Sequence, residues 1–287
     1  MISHCSSATA LLALLLLLAV APADGQRPPV VLPGTEQLVL RSTVNDVSYK
    51  LYVSLPRGYD DASARYPVVY VLDADYSFAI ARNIVEHLSD RGHLTAAVII
   101  GIAYDGPPAY RRHRTRDYTP TYVASGGYGP EYQAVSGGGP LFLRFIAEEL
   151  IPFVEREYRV TQQRVLVGHS YGGLFVLWVA LHDTQRFSGY VAVSPSLWYD
   201  DHLILRDEQR LASTRRDMPV RLHLSVGSRE INDQINMVAD LRRLAATLEK
   251  RSYPGLRMRW SVEEDETHPS IFPGALSDGL RFVLQGQ

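Results

Sequence analysis

A serine flanked by glycines follows an apolar run near the middle of the chain. Residues 165–167 are Val-Leu-Val, residues 168–172 read GHSYG, and an apolar segment covers residues 174–181. Closely spaced glycines let a strand turn sharply into a helix, which leaves the central serine strained and exposed. A serine hydroxyl needs a base to accept its proton and amide donors to bind the oxyanion that it creates. The G-x-S-x-G pattern therefore predicts that Ser170 is a nucleophile.

The base is expected among nine histidines. In α/β-hydrolases the nucleophile is followed along the chain by the acid and then by the histidine, each on a loop at the carboxyl end of a strand. His268 is the only histidine after the last predicted strand, residues 256–262, and Pro269 keeps it on a loop. We therefore predict His268 as the general base. Alternation along the strand is expected to turn His169 away from the serine's side of the turn.

A carboxylate is expected to orient the base and to stabilise its charged form. Glu230 fits best because it follows the penultimate predicted strand, residues 220–226. Asp233 is a close rival, although it is also a suitable cap for the next helix. Asp200 and Asp201, after an earlier strand, rank third.

Two amides are expected to bind the oxyanion. One belongs to Tyr171, the residue after the nucleophile, and the other to the loop after the buried strand at residues 67–72. Ala74 and Asp75 are the candidates in that loop. An ordinary capped turn would look the same there.

Substrate contacts are expected from two loops. Residues 104–140 lack clear periodicity and are rich in arginine and tyrosine, so they form either a solvated loop or a substrate lid. Arg116 and Tyr118 are the predicted contacts from this segment. Trp198 follows the strand at residues 189–193 and is a candidate pocket wall, or an aromatic packed over the core.

The segments around these residues alternate between strand and helix patterns. Residues 38–44 and 48–55 alternate in polarity on either side of Asn45 and Asp46, which predicts an antiparallel hairpin. Short apolar runs and helical periods then alternate along the chain, as is typical of a parallel, doubly wound sheet. The predicted fold class is α/β: an α/β-hydrolase fold with a mostly parallel sheet and an N-terminal hairpin.

The first 25 residues differ from the rest. An apolar run at residues 8–21 is followed by small residues and then by Gln26 and Arg27. This pattern predicts a signal peptide over 1–25, a single α/β-hydrolase domain over 26–287, and a periplasmic or secreted location. Because no Lys or Arg precedes the run, an uncleaved anchor is the alternative. No stable membrane association is expected after cleavage.

Composition argues against several classes of function. The 287 residues carry 29 basic and 31 acidic side chains, so no nucleic acid partner is indicated. The single cysteine, Cys5, lies in the predicted signal peptide, which excludes cysteine catalysis in the mature chain. Since the sequence has no recognisable metal-ligand cluster or cofactor motif, we expect neither a metal nor a cofactor.

Several blocks of the sequence resemble the putative esterase family of α/β-hydrolases. This family holds the enterobactin and salmochelin (ferric siderophore) esterases and is related to esterase D. The blocks occur in the family's order over nearly all of the predicted mature chain: residues 69–73 with Phe78, RDYTPT at 116–121, residues 136–138 and 142–158, GHSYGG at 168–173, SPSLW at 194–198, and His268 with Ser270 and GLRFV at 279–283.

The resemblance implies Ser170 as nucleophile, His268 as base and Glu230 as acid. Some siderophore esterases of the group use serine and histidine alone, so a dyad stays open. The chain departs from the family's common residues at Pro269 and Gly139, where glycine and alanine are usual.

The sequence as a whole predicts a serine esterase that cleaves a small-molecule carboxylic ester through an acyl-enzyme. A catecholate trilactone siderophore is the suggested substrate. The alternatives are a general carboxylesterase, a peptidase or acyltransferase on the same fold, and a non-catalytic binding protein. The oligomeric state stays open.

Overall fold

The computed structural model describes residues 30–60, 63–104 and 110–285. The predicted signal peptide, residues 1–25, lies outside these ranges. The strands of the described residues are β1 (Thr35–Arg41), β2 (Ser48–Ser54), β3 (Tyr66–Val71), β4 (Val98–Tyr104), β5 (Val160–His169), β6 (Gly189–Val193), β7 (Arg221–Gly227) and β8 (Arg257–Glu263).

These strands form one eight-stranded sheet in the order β1-β2-β4-β3-β5-β6-β7-β8. Strand β2 pairs antiparallel with both β1 and β4, and every other neighbouring pair is parallel. The predicted hairpin and the mostly parallel α/β sheet are therefore confirmed. All seven residues of β4 are buried, as expected for an inner strand covered on both faces.

Helices cover both faces of the sheet. Helices α1 and α9 pack on one face, and a larger apolar core that includes α6 and α8 lies on the other. The helices of the described residues are α1 (Ala74–Ser89), α2 (Tyr110–Tyr118), α3 (Pro130–Gln133), α4 (Gly139–Phe145), α5 (Ile151–Glu157), α6 (Tyr171–His182), α7 (Tyr199–Leu211), α8 (Met237–Arg251) and α9 (Phe272–Val283), and a π-helical turn (Ile146–Leu150) joins α4 to α5.

Three helices lie where the sequence predicts none: α2, the single turn α3, and α7. Helix α2 lies in residues 104–140, which were predicted to form a solvated loop or a substrate lid, and its composition explains the error. It is polar on nearly every face, so it shows no apolar stripe. Helix α7 is interrupted near its start, where Asp200, Asp201 and His202 adopt left-handed backbone angles.

The sheet order brings the predicted site residues to one edge. Ser170, Glu230 and His268 follow β5, β7 and β8 respectively, at the carboxyl ends of parallel strands. Loops at this edge are where open α/β sheets bind their ligands.

None of the helices in the described part of the chain combines the length and the apolar character needed to cross a bilayer.

Candidate active site

Ser170 occupies a strained turn between β5 and α6. Its backbone has φ 61° and ψ −119°, a conformation that non-glycine residues rarely adopt. The Ser170 amide donates to the Val193 carbonyl at 3.0 Å, and the Ser170 carbonyl accepts from the Leu174 amide at 2.9 Å. A Cβ added to Gly168 would lie 2.4 Å from the Gly172 carbonyl group. Gly168 is therefore required by the close approach of the strand and the helix.

His268 is hydrogen-bonded to Glu230. The distance from His268 Nδ1 to Glu230 Oε2 is 2.5 Å. The other carboxylate oxygen, Oε1, accepts from Ser194 Oγ at 2.5 Å and from the Gly227 amide at 2.7 Å. The Glu230 side chain is 1% exposed and that of His268 is 39% exposed. The carboxylate is thus buried beneath an imidazole that reaches the cleft.

These contacts fix the charge of Glu230 and the tautomer of its partner. Burial alone would raise the pKa of Glu230, but hydrogen bonds from His268, Ser194 and the Gly227 amide outweigh it and lower the pKa. An ionised carboxylate accepts from the Nδ1 hydrogen of His268. The neutral imidazole therefore keeps the lone pair of Nε2 free to accept a proton.

The rival carboxylates lie elsewhere. Asp233 is exposed on the loop before α8. Asp200 accepts from the Thr121 hydroxyl at 2.7 Å, and the Asp201 side chain is 90% exposed. Of the four carboxylates considered from the sequence, Glu230 is therefore the one that contacts His268.

Two pockets of about 320 Å³ each meet at Ser170 and His268. The first, called here the aromatic pocket, is walled mainly by Tyr76, Ile80, Tyr110, Arg114, Tyr128 and Phe272. The second is called here the hairpin pocket, after the turn closed by the antiparallel bridge between Ile231 and Asn236 and not after the β1–β2 hairpin. It is walled mainly by Trp198, Arg229, Ile231, Asn232, Ile235 and Met237. The Ser170 hydroxyl, where the two pockets meet, can therefore reach an ester that has its acyl side in one pocket and its alcohol side in the other.

The predicted substrate contacts are only partly found at these walls. Trp198 lines the hairpin pocket. Arg116 and Tyr118 are not among the residues that line either pocket. Arg116 is engaged with Asp117 at 2.7 Å, and Tyr118 is fully buried beneath the site. The structure instead places Arg114 in the aromatic pocket. Side chains that are close in the sequence of a helix point to different sides of it, so Arg114 reaches the pocket while Arg116 and Tyr118 do not.

Arg114 forms a buried ion pair that sequence reasoning missed. Its Nη2 lies 2.9 Å from Asp73 Oδ2 and its Nε lies 3.1 Å from Oδ1. Both side chains are at most 3% exposed. Tyr110 donates a further hydrogen bond to Asp73 at 2.9 Å. The guanidinium charge in the aromatic pocket is therefore already neutralised within the protein.

Asp73 begins the loop that is expected to supply the second oxyanion amide. Its amide donates to the Tyr118 hydroxyl at 3.1 Å, and its carbonyl accepts from the amides of Tyr76 and Ser77. The hydrogen bonds among the described residues leave the amides of Ala74 and Asp75 without an acceptor. Those two amides therefore stay the candidates, beside that of Tyr171 at the start of α6.

His169 lies beside His268, contrary to the expectation from strand alternation. The two ring centroids are 4.5 Å apart, and His169 Nε2 is 2.8 Å from the His268 main-chain oxygen. Strand alternation does not apply at this position, because the backbone leaves the extended conformation at the next residue, Ser170. The strained serine that the motif predicts was the available signal, because a positive φ at Ser170 ends the alternation of side chains.

The fold and the sharp strand-to-helix turn at its centre define an α/β-hydrolase. Among solved structures, an IroE-like serine hydrolase from Shewanella oneidensis superposes with a TM-score of 0.79 at 28% identity, over 87% of this chain and 80% of that one.

The chain belongs to the family described as Putative esterase, which matches residues 42–261. It is similar to the ferri-bacillibactin esterase BesA of Bacillus subtilis (strain 168), with 33% identity over 266 residues, 88% of this chain and 90% of the relative. It is also similar to the siderophore enterobactin esterase of Emericella nidulans, with 32% identity over 273 residues, 83% of this chain and 90% of the relative. The protein is therefore a carboxylic ester hydrolase.

Proposed function

We propose that the protein is a siderophore esterase in which Ser170, His268 and Glu230 form the catalytic triad. The observation that carries the proposal is the buried Glu230 carboxylate bonded to His268, in a cleft shared with the strained Ser170. A nucleophile, a base and a group that orients the base are the three parts that serine catalysis requires.

The proposed reaction begins when Ser170 Oγ attacks the ester carbonyl and His268 Nε2 accepts its proton. The amides of Tyr171 and of Ala74 or Asp75 bind the oxyanion, and the positive end of α6 adds to its stabilisation. His268 then donates the proton to the departing alcohol, which leaves an acyl-enzyme. In the second half, water attacks this acyl group while His268 again accepts and returns a proton, and the acid is released.

The substrate class is inferred from two lines of support. Two of the similar proteins named above are a ferri-bacillibactin esterase and a siderophore enterobactin esterase. The aromatic pocket offers the rings of Tyr76, Tyr110, Tyr128 and Phe272 to a planar group. The hairpin pocket can hold the other side of the scissile ester. A catecholate trilactone presents both features, aromatic groups and a chain of esters.

Export belongs to the same proposal. It rests on the apolar pattern of residues 1–25, with the catalytic domain covering residues 26–287. We expect N-terminal sequencing of the protein from the periplasm or the medium to begin near Gln26. A protein that keeps residue 1 and stays with the membrane would contradict this part.

The proposed function is tested by hydrolysis of a substrate panel by residues 26–287 and by Ser170→Ala. The panel contains a short-chain nitrophenyl ester, a catecholate trilactone with and without iron, and a peptide amide. We expect preference for the trilactone, with the rate in Ser170→Ala lower by roughly 10⁵- to 10⁶-fold. A fluorophosphonate should label wild type and not Ser170→Ala. Activity on the nitrophenyl ester alone would replace the siderophore substrate by general esters, and an unchanged rate in Ser170→Ala would overturn the mechanism.

A further inference from the structure

His169 takes no part in the proton transfers above, yet it contacts the loop that carries the proposed base. Its Nε2 lies 2.8 Å from the main-chain oxygen of His268, and its Nδ1 lies 3.1 Å from the hydroxyl of Tyr76. The residue is 9% exposed. Its imidazole therefore connects the turn at Ser170 with both the histidine loop and helix α1.

The two hydrogen bonds determine which nitrogen of His169 carries the hydrogen. A carbonyl oxygen can only accept, so Nε2 is the donor to His268. In a neutral ring Nδ1 is then an acceptor. The hydroxyl of Tyr76 donates to it at 3.1 Å, in preference to Asp73 Oδ2, which is 3.5 Å away. Burial, the nearby His268 and the charge of Arg114 together lower the pKa of His169 to about 3. The ring is therefore neutral at any pH used to assay ester hydrolysis.

A neutral ring is the form that this place requires. During the reaction His268 becomes an imidazolium, and a second cation 4.5 Å away would oppose that charge. A neutral His169 avoids the repulsion and still donates to the main chain. It holds the backbone of His268, whereas Glu230 holds its ring through Nδ1. These two attachments lie at opposite ends of the residue.

We propose that His169 is a positioning residue for ester hydrolysis. Oriented by Tyr76, its imidazole holds the main chain of His268 so that Nε2 of that residue faces Ser170. The inference rests on the proposed function, because it assumes that His268 transfers the proton.

Three variants test the proposal with a nitrophenyl ester. His169→Leu removes both hydrogen bonds, and we expect kcat to fall by about 10²-fold with little change in KM, as for a misplaced catalytic group. His169→Gln restores a donor for the carbonyl and an acceptor for the tyrosine. We expect it to regain kcat to within roughly tenfold of wild type. Tyr76→Phe keeps the ring in the pocket wall and removes only the hydroxyl, and we expect kcat to fall several-fold.

A histidine at the far end of helix α6, the helix that follows Ser170, provides the control. His182, at the other end of α6, also bonds a main-chain oxygen, that of Trp178 at 2.9 Å. The two ends of this 12-residue helix are about 17 Å apart at a rise of about 1.5 Å per residue. His182→Leu should therefore keep the wild-type kcat, whatever its effect on the melting temperature.

The outcomes separate this inference from the proposed function. If Ser170→Ala is inactive while folded His169→Leu keeps the wild-type kcat, positioning by His169 is wrong and the triad stands. If His169→Gln is as slow as His169→Leu, the hydrogen bonds are not what matters, and the proposal is overturned. If His169→Leu fails to fold, Tyr76→Phe decides, because an unchanged kcat in that variant also overturns it. Activity in Ser170→Ala would overturn both proposals.

Discussion

Replacing Arg114 by methionine should both destabilise the protein and slow it. The substitution keeps an unbranched apolar side chain in helix α2 but leaves the Asp73 carboxylate buried without its cation. In the structure Arg114 makes two hydrogen bonds to Asp73, one to the His169 carbonyl at 3.3 Å, and one to the hydroxyl of Tyr128. All of these contacts are lost together.

The size of the effect follows from the burial of the pair. Removing one partner of a buried ion pair costs about 3–5 kcal/mol, since the other charge stays desolvated. Asp73 keeps the hydrogen bond from Tyr110, so we expect a value near the lower end, about 3 kcal/mol. For a domain of this size that lowers the melting temperature by about 6–12 °C. Because Asp73 starts helix α1 beside the proposed oxyanion amides, kcat should fall about tenfold or more.

Denaturant unfolding measures the loss of stability, and steady-state kinetics measures the loss of kcat, in four proteins. The proteins are wild type, Arg114→Met, Asp73→Asn and the double variant, with asparagine chosen because it tolerates the left-handed backbone of that position. We expect a coupling free energy of about 2 kcal/mol or more. Arg112→Met, an exposed arginine on the same helix, is the control and should stay within about 0.5 kcal/mol of wild type. A cost below about 1 kcal/mol for Arg114→Met, or additive effects in the cycle, would refute the reasoning.

Three further predictions concern the cleft. Glu230→Gln should lower kcat by roughly 10³- to 10⁴-fold. Because the pKa of Glu230 is lowered below its ordinary value of 4.5, its stabilising contribution is present above that pH and lost as the pH falls through the folded-state pKa. Thermal unfolding from pH 6 to pH 3 should therefore show a steeper loss in wild type than in Glu230→Gln, and equal slopes would contradict this. Gly168→Ala should cost about 3 kcal/mol in urea unfolding, because the new methyl group meets the Gly172 backbone. The matched control Gly274→Ala, with nothing within 4 Å of the new atom, should be neutral or stabilising. Trp198→Ala should raise KM for bulky esters by about tenfold and leave acetyl esters unchanged, since one wall of the hairpin pocket is removed.

The features that depend on short stretches of sequence and on chain order could be predicted from the sequence. The parallel sheet and its hairpin follow from apolar runs and alternation. The meeting of Ser170, Glu230 and His268 in one cleft follows from their places after parallel strands. Chain order alone suffices there, because the carboxyl ends of such strands share an edge.

The parts that depend on long-range contacts could not be predicted. Asp73 and Arg114 are 41 positions apart, and helix α2 shows no apolar stripe that would have revealed which of its arginines points inward. The placement of His169 depends on one backbone angle, the positive φ of Ser170. Neither feature leaves a periodic signal in a single sequence.

Three non-glycine residues with left-handed φ follow three adjacent strands: Asp73 at 54° after β3, Ser170 at 61° after β5, and Ser194 at 45° after β6. Each such residue costs on the order of 1–3 kcal/mol, and glycine would adopt the same angles more easily. Yet each side chain has a use that glycine lacks. Asp73 pairs with Arg114, Ser170 points into the cleft, and Ser194 donates a hydrogen bond to Glu230. At Asp73 and Ser194 these buried contacts offset the strain. Selection for heat resistance would therefore favour glycine at Ser170, where selection for turnover opposes it, so the trade-off between durability and activity falls on the nucleophile.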